Sequence, residues 1–448
     1  MARPRPRIAV ALASLLVLAA CSAGSSQTVT GERPQPPLTD PPPGVGGVTN
    51  PNDEPYPDVF FDNPGVNPFV DTEDDALSTF ALEVDTGSYT VARRFLTDGN
   101  LPDKDAIRVE EFVNYFPTGV PAPDGEAFAI HADAAVTPFV QNDRYQVARV
   151  VIRSREMAPE TRPDAALTFV IDVSGSMEME NRLELVKQSL RLLVTQLRLS
   201  DTVAIVVYGS DARVVLQPTP LSEVETVQAA IDALHPEGAT NAEAGLVLGY
   251  QLARAAFRPG GVNRVILASD GVANVGNTGP DSILAQIRGE AAGGIQLATL
   301  GFGMGNYNDV LMEQLADDGD GFYAYVDTID EAERLFVDEL TTTLVTVALD
   351  AKVQVSWDQA AVERWRLIGF ENRAVADDQF RDDRVEAGAI GPGHEVTALY
   401  ELKLTDEAAS TTSLGTVGLR WTDPDSGEAV EMQRQLAGLV TPAFPNAD

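Results

Sequence analysis

The sequence predicts an α/β protein built on a doubly wound, mostly parallel, Rossmann-like sheet with a β-rich module flanking it. Three observations carry this. Leu167-Thr168-Phe169-Val170-Ile171 and Val265-Ile266-Leu267-Ala268 are apolar runs without polar alternation, the pattern of strands covered on both faces. They alternate with segments whose apolar residues recur every three to four positions, as in helices lying on such a sheet. From Leu349 onward the period drops to two, which reads as half-buried antiparallel sheet.

The chain has 448 residues, room for two or three domains once tails are set aside. Residues 1–20 read as a signal peptide: Arg3, Arg5 and Arg7 precede an apolar run, 8–20, too short to span a bilayer comfortably. Leu18-Ala19-Ala20-Cys21 resembles the lipobox of bacterial lipoproteins, in which cleavage precedes a cysteine that is then lipidated. The resemblance makes Cys21 the lipidation site and implies a lipid-anchored, extracytoplasmic protein of the cell envelope. Cys21 is the single cysteine, so no disulfide can form within the chain. Residues 21–58, with Pro34-Gln35-Pro36-Pro37 and Pro41-Pro42-Pro43, cannot bury a core and read as a disordered, Pro-rich tether.

Residues 59–162 read as a mixed α/β flanking module. Leu77 to Val84 is strand-like, 88–96 and 105–116 are helical, and 145–153 is a further strand. The second helix has Val109, Phe112, Val113 and Phe116 on one side. Asp85-Thr86-Gly87-Ser88 has the look of an aspartic-protease loop, but that chemistry needs two carboxylates sharing a proton. Only a homodimer could supply the second, and the stretch reads as a turn and helix cap.

Residues 163–347 alternate strand and helix. Helix 182–198 carries Leu183, Val186, Leu190, Leu193 and Leu197 on one face; strand 202–208 and an edge-like run, 213–217, follow. Ser222 and Glu225 form a capping-box pattern before helix 223–234. A helix with Leu246, Tyr250, Ala253 and Phe257 on one face leads to the strand ending at Asp270, and helices 281–290 and 309–316 then alternate with strands 295–301 and 322–326. Thr328 with Glu331 caps a last helix, 329–344. Gly301-Phe302-Gly303-Met304-Gly305-Asn306 lacks the third glycine of a dinucleotide loop and reads as a tight turn. Asp317-Asp318-Gly319-Asp320-Gly321 lacks the remaining ligands of an EF-hand loop and reads as solvated.

Residues 348–448 read as a β-sandwich-like domain: Ala351, Val353, Val355 and Trp357 alternate with Asp350, Lys352, Gln354 and Ser356, and 396–404 and 417–421 repeat the pattern. A doubly wound domain has its termini near each other. The strands entering and leaving it, 145–153 and 351–357, are therefore expected side by side, in one β-module into which the central domain is inserted.

Asp172-Val173-Ser174-Gly175-Ser176 follows the first buried strand, at the carboxyl end where open α/β sheets place their ligands. A carboxylate and two hydroxyls are hard oxygen donors, suited to Mg2+ most naturally and to Mn2+ or Ca2+ less so. Thr240, at a helix start, and Asp270, ending the second buried strand, offer further oxygens. The net charge of −35 favours cation binding and argues against nucleic acid or an anionic membrane surface as partner. His131, His235 and His394 are scattered without metal-ligand spacing and read as surface or cap residues.

Carrying Asp172, Ser174, Ser176, Thr240 and Asp270 in this order, the central segment resembles the von Willebrand factor type A domain. That family's metal-ion-dependent adhesion site is an Asp-x-Ser-x-Ser loop, a distant Thr and a distant Asp. Over about residues 63–438 the chain resembles bacterial lipoproteins that flank this domain with an N-terminal module and a C-terminal β-domain of no assigned activity. The matching stretches are Asn67-Pro68-Phe69-Val70, Val113-Asn114-Tyr115-Phe116-Pro117 and Phe370-Glu371-Asn372-Arg373. The resemblance implies a divalent ion with an open position that takes an Asp or Glu from a protein partner, hence an adhesion or scaffolding protein and not an enzyme. It also implies that ligand capture pulls the 174–176 loop inward, with helix 329–344 placed to pass the shift on. The competing classes are a metal-dependent envelope hydrolase, which needs a general base beside a metal-bound water, and a structural envelope protein with an idle site.

Overall fold

Strand Ala165–Asp172 is buried along its whole length and lies inside a six-stranded sheet. Across the sheet the order is Tyr323–Tyr325, Gln296–Gly301, Val262–Ser269, Ala165–Asp172, Thr202–Tyr208 and Ala212–Pro220. All neighbours are parallel except the last pair, so 212–220 is the antiparallel edge. The computed structural model describes residues 61, 64–137, 139–140, 142–271, 280–304, 308–408, 413–437 and 440–441. These belong to one unit, Asn50–Asp448; the expected signal peptide, Cys21 and most of the tether fall in the other, Met1–Thr49, outside the described residues. No helix among the described residues is long and apolar enough to cross a membrane.

Both faces of the sheet are covered, which is why its strands carry no polar alternation. One face takes Leu183, Val186, Leu190 and Leu193 of helix Arg182–Gln196 together with Val227 and Ile231 of helix Val224–Asp232. The other takes Leu246 and Tyr250 of helix Ala242–Ala256, Ile287 of helix Pro280–Ala292 and Leu315 of helix Asp309–Asp317. Phe257, expected on the inner face, caps its helix and is exposed. The Ser222–Glu225 capping box does not form, because a 3-10 turn, Leu221–Glu223, precedes the helix and moves its start to Val224. The last helix is broken: Ile329–Glu333 passes through a π turn, Arg334–Asp338, into Leu340–Leu344. Thr328 caps its start by accepting from the backbone N–H of Glu331 at 3.3 Å.

The two flanks share one core. Tyr145–Ser154 pairs antiparallel with Glu395–Leu404, and Leu77–Ala81 with Ala348–Trp357. The two resulting sheets enclose Phe80, Phe128, Val150, Val353, Trp357, Tyr400 and Trp421. The entering and leaving strands are thus in one module but not side by side; they lie in different sheets of it. Nor do residues 59–162 stand apart from the central domain: helix Gly87–Thr97 adds Val91 and Phe95 to the core beneath its sheet. The outer face of Ala348–Trp357, expected to be solvated, is only partly so: Asp350, Gln354 and Ser356 are half-buried, and Lys352 is 1 % exposed with its ammonium donating to the Asp382 carbonyl.

The helical stretch near 105–116 inverts its expected face. Helix Val109–Asn114 buries Glu110 and Glu111 and exposes Val109, with Phe116 beyond its end also exposed. Glu111 explains the inversion, accepting from the Ser88 backbone N–H at 2.7 Å and from Arg108 at 2.8 Å. A paired carboxylate is a better occupant of that polar interior than a valine.

Candidate functional site

Three loops meet at the carboxyl ends of the central strands. The first begins at Asp172, which ends its strand with 0 % exposure. One carboxylate oxygen accepts from the Ser174 backbone N–H at 2.8 Å, so the chain curls back and brings Ser174 and Ser176 hydroxyls to 3.0 Å of each other. Met177, fully buried in the core, anchors the loop from below. The second loop follows strand Val262–Ser269: the Ser269 hydroxyl donates to the other Asp172 oxygen at 3.0 Å, and Asp270 comes next. The third loop, carrying Thr240, is tied to the first by its backbone. The Glu237 N–H donates to the Val173 carbonyl at 2.5 Å and the Gly175 N–H to the Gly238 carbonyl at 3.2 Å.

Thr240 is half-buried just before helix Ala242–Ala256, whose N-terminus is capped by the Asn241 side chain accepting from the Ala244 N–H at 3.2 Å. This helix can lie close to the sheet because it has glycine where it crosses. A Cβ on Gly249 would stand 2.3 Å from the Val170 side chain. The glycine therefore sets how near the helix start, and with it Thr240, comes to the loop ends.

The electrostatics separate the two carboxylates. Burial pushes the Asp172 carboxyl up to about 6, hydrogen bonds from Ser174 and Ser269 oppose this, and the nearby charge of Asp270 adds to it. Among the described residues Asp172 has no cationic partner within ion-pair distance. Asp270 has one: the Arg182 guanidinium donates to it at 2.7 Å, both side chains buried. The donor set of two carboxylates and hydroxyls, one carboxylate lacking a counter-charge, fits a hard divalent cation, which would favour the ionised form of both. Arg182 was not singled out in the sequence, where it reads only as the start of a helix.

The other candidate motifs fall elsewhere. Asp85 accepts from the Tyr323 N–H at 3.1 Å and from Arg373 at 3.0 Å, a structural role in place of a protease dyad. Asp317 ends helix Asp309–Asp317 and stays partly solvated; Glu83, Asp85 and Asp317 bring ligand oxygens within 4.8 Å of one another. Arg373 is the cation already seated among these carboxylates, reaching Glu83 at 2.7 Å, Glu313 at 2.9 Å and Asp317 at 3.4 Å. Gly303 follows strand Gln296–Gly301 with φ +85°; residues 305–307 of that expected turn lie outside the described ones. His394 is half-buried with its Nε2 sequestered, and burial holds its imidazole down to about 4.

Residues 166–338 match the family described as von Willebrand factor type A domain, residues 57–148 one described as von Willebrand factor, and 342–443 the C-terminal region of YfbK. The uncharacterized protein YfbK of Escherichia coli K12 is 42% identical over 356 residues, covering 78% of this chain and 62% of that protein. The chain thus spans less than two thirds of that relative's length. The uncharacterized protein sll0103 of Synechocystis is 25% identical over 285 residues, 62% of this chain and 67% of that one. Human inter-alpha-trypsin inhibitor heavy chain H3 is 27% identical over 192 residues, 40% of this chain and 21% of that one. Among solved structures, the von Willebrand factor type A protein from Catenulispora acidiphila aligns with a TM-score of 0.42 and 17% identity, covering 73% of this chain and 76% of that one. Residues 166–338 are therefore a von Willebrand factor type A domain, and a YfbK-type C-terminal region follows it.

Proposed function

We propose that this protein binds a divalent cation, Mg2+ or in its place Mn2+ or Ca2+, through Asp172, Ser174, Ser176, Thr240 and Asp270, and uses it to engage an acidic residue of a protein partner. Asp172 and Asp270 supply charge and orientation, and the three hydroxyls supply neutral oxygens. With so few carboxylates the bound ion keeps net positive character, which a partner's Asp or Glu can satisfy. The reading extends to a non-enzymatic adhesion or scaffolding role in the cell envelope, anchored by lipid on Cys21.

The observation that carries the proposal is Asp172: a fully buried carboxylate without a cationic partner among the described residues, beside two converging hydroxyls. Proteins of this domain type serve protein interactions, which supports the partner class. Calorimetric titration with Mg2+ is expected to give saturable binding that Asp172→Ala abolishes. Circular dichroism is expected to stay unchanged, since the sheet is held by apolar cores on both faces. Wild-type affinity in the variant would remove these residues from consideration as the site.

A further inference from the structure

Arg182 is an unusual neighbour for a cation site. It follows Glu180 and Asn181, both in the left-handed region with φ of 52° and 57°, and this turn carries its side chain back under the loops. The Arg182 side chain is 4 % exposed. Its seat is the backbone at Gly303, where a Cβ would stand 2.2 Å from the Arg182 Nε. That Nε is buried and has no hydrogen-bond partner among the described residues. One Nη holds Asp270 at 2.7 Å, and the other is 4.0 Å from Glu180. Glu180 is in turn held at 2.8 Å by Arg94, which lies on helix Gly87–Thr97 and also bonds Asp98.

We propose that Arg182 is the resident counter-ion of Asp270 and that an entering divalent cation displaces it toward Glu180, so that metal binding is felt by the N-terminal helix through Arg94. The inference rests on the metal reading above. A guanidinium and a divalent ion on one buried carboxylate repel each other, and the repulsion is strong where water is excluded. Glu180 is an anion within reach of Arg182, 4.0 Å from its other Nη, and Arg94 must share it when the guanidinium moves there. The pair sets a threshold: with Asp270 already neutralised, the site takes up only those cations that outcompete an internal charge. It also gives the flanking helix, which packs Val91 and Phe95 into the central domain, a direct polar link to the loops.

The test is titration of the full chain with Mn2+ alone, for wild type, Arg182→Gln and Arg182→Lys, with amide hydrogen exchange over residues 87–97. Removing the charge is expected to tighten Mn2+ binding about tenfold, whereas lysine stays within about twofold of wild type. Saturating Mn2+ is expected to change exchange at 87–97 in wild type and not in Arg182→Gln. Equal or weaker binding in Arg182→Gln, or an unchanged helix in wild type, overturns the inference while leaving the metal site standing. Should Arg182→Gln fold poorly, Glu180→Gln at its exposed position serves instead. It removes the receiving anion and is expected to weaken Mn2+ binding about threefold and silence the helix; an unaltered affinity overturns the relay. Absence of Mn2+ binding in every protein, wild type included, overturns the metal reading itself.

Discussion

Arg373 cannot neutralise four carboxylates, and at the scale of single residues this has a consequence for pH. Burial pushes the Glu83 carboxyl up to about 8, Arg373 pulls it back, and the charges of Asp317 and Glu313 raise it further. Asp85 is raised too, by burial first and then by Glu83. A carboxyl with a raised value binds its proton better folded than unfolded. Its stabilising contribution is complete below the ordinary value of 4.5 and is lost as pH climbs to about 8. Denaturant midpoints are therefore expected to fall between about pH 5 and pH 8. Glu83→Gln, neutral throughout, is expected to flatten part of that slope; identical pH profiles for the two proteins would assign the effect to another group.

Among the elements, helix Ala242–Ala256 does most to place the site, because its approach to the sheet decides where the Thr240 loop stands. Gly249→Val puts a branched side chain where even a Cβ meets Val170 at 2.3 Å. Overpacking of this kind costs about 1–3 kcal/mol, measurable by denaturant unfolding. The helix start is expected to move away from the loops, so divalent affinity is expected to fall along with stability. Loss of stability with unchanged affinity would show that the Gly238–Gly175 backbone tie positions the loop without help from the helix. Helix Val109–Asn114 teaches a different lesson about faces. Its apolar residues have a helical spacing, yet the ion pair of Glu111 with Arg108 and its hydrogen bond from the Ser88 N–H decide which side goes in.

Across the whole molecule, one arginine joins three segments distant in sequence. Arg373 lies after the central domain, Glu83 and Asp85 before it, and Glu313 and Asp317 within it. Arg93 makes a second such link, to Asp327 at 2.5 Å and Glu331 at 2.9 Å. Replacing Arg373 with methionine leaves buried carboxylates without compensation and is expected to cost about 3–5 kcal/mol. Adding Glu83→Gln to that variant is expected to recover part of the loss; a double variant no better than the single one would show that Arg373 acts through packing alone.

The doubly wound sheet was legible in the sequence because a strand covered on both faces must be largely apolar, and the runs 167–171 and 265–268 within the two central strands obey that locally. Three of the five candidate ligand positions, Asp172, Ser174 and Ser176, stood out for a related reason: they share one short loop at a strand end, where their spacing is visible in the sequence. What only the tertiary structure decided lies between distant segments. The pairing of Tyr145–Ser154 with Glu395–Leu404, the burial of Lys352 against the Asp382 carbonyl, and the hold of Arg182 on Asp270 each depend on a partner far along the chain, and Glu111 is buried against the Ser88 backbone as well as its neighbour Arg108. Periodicity reports which side of an element avoids water. It says nothing of a charged side chain that leaves water because an opposite charge or a carbonyl waits for it inside.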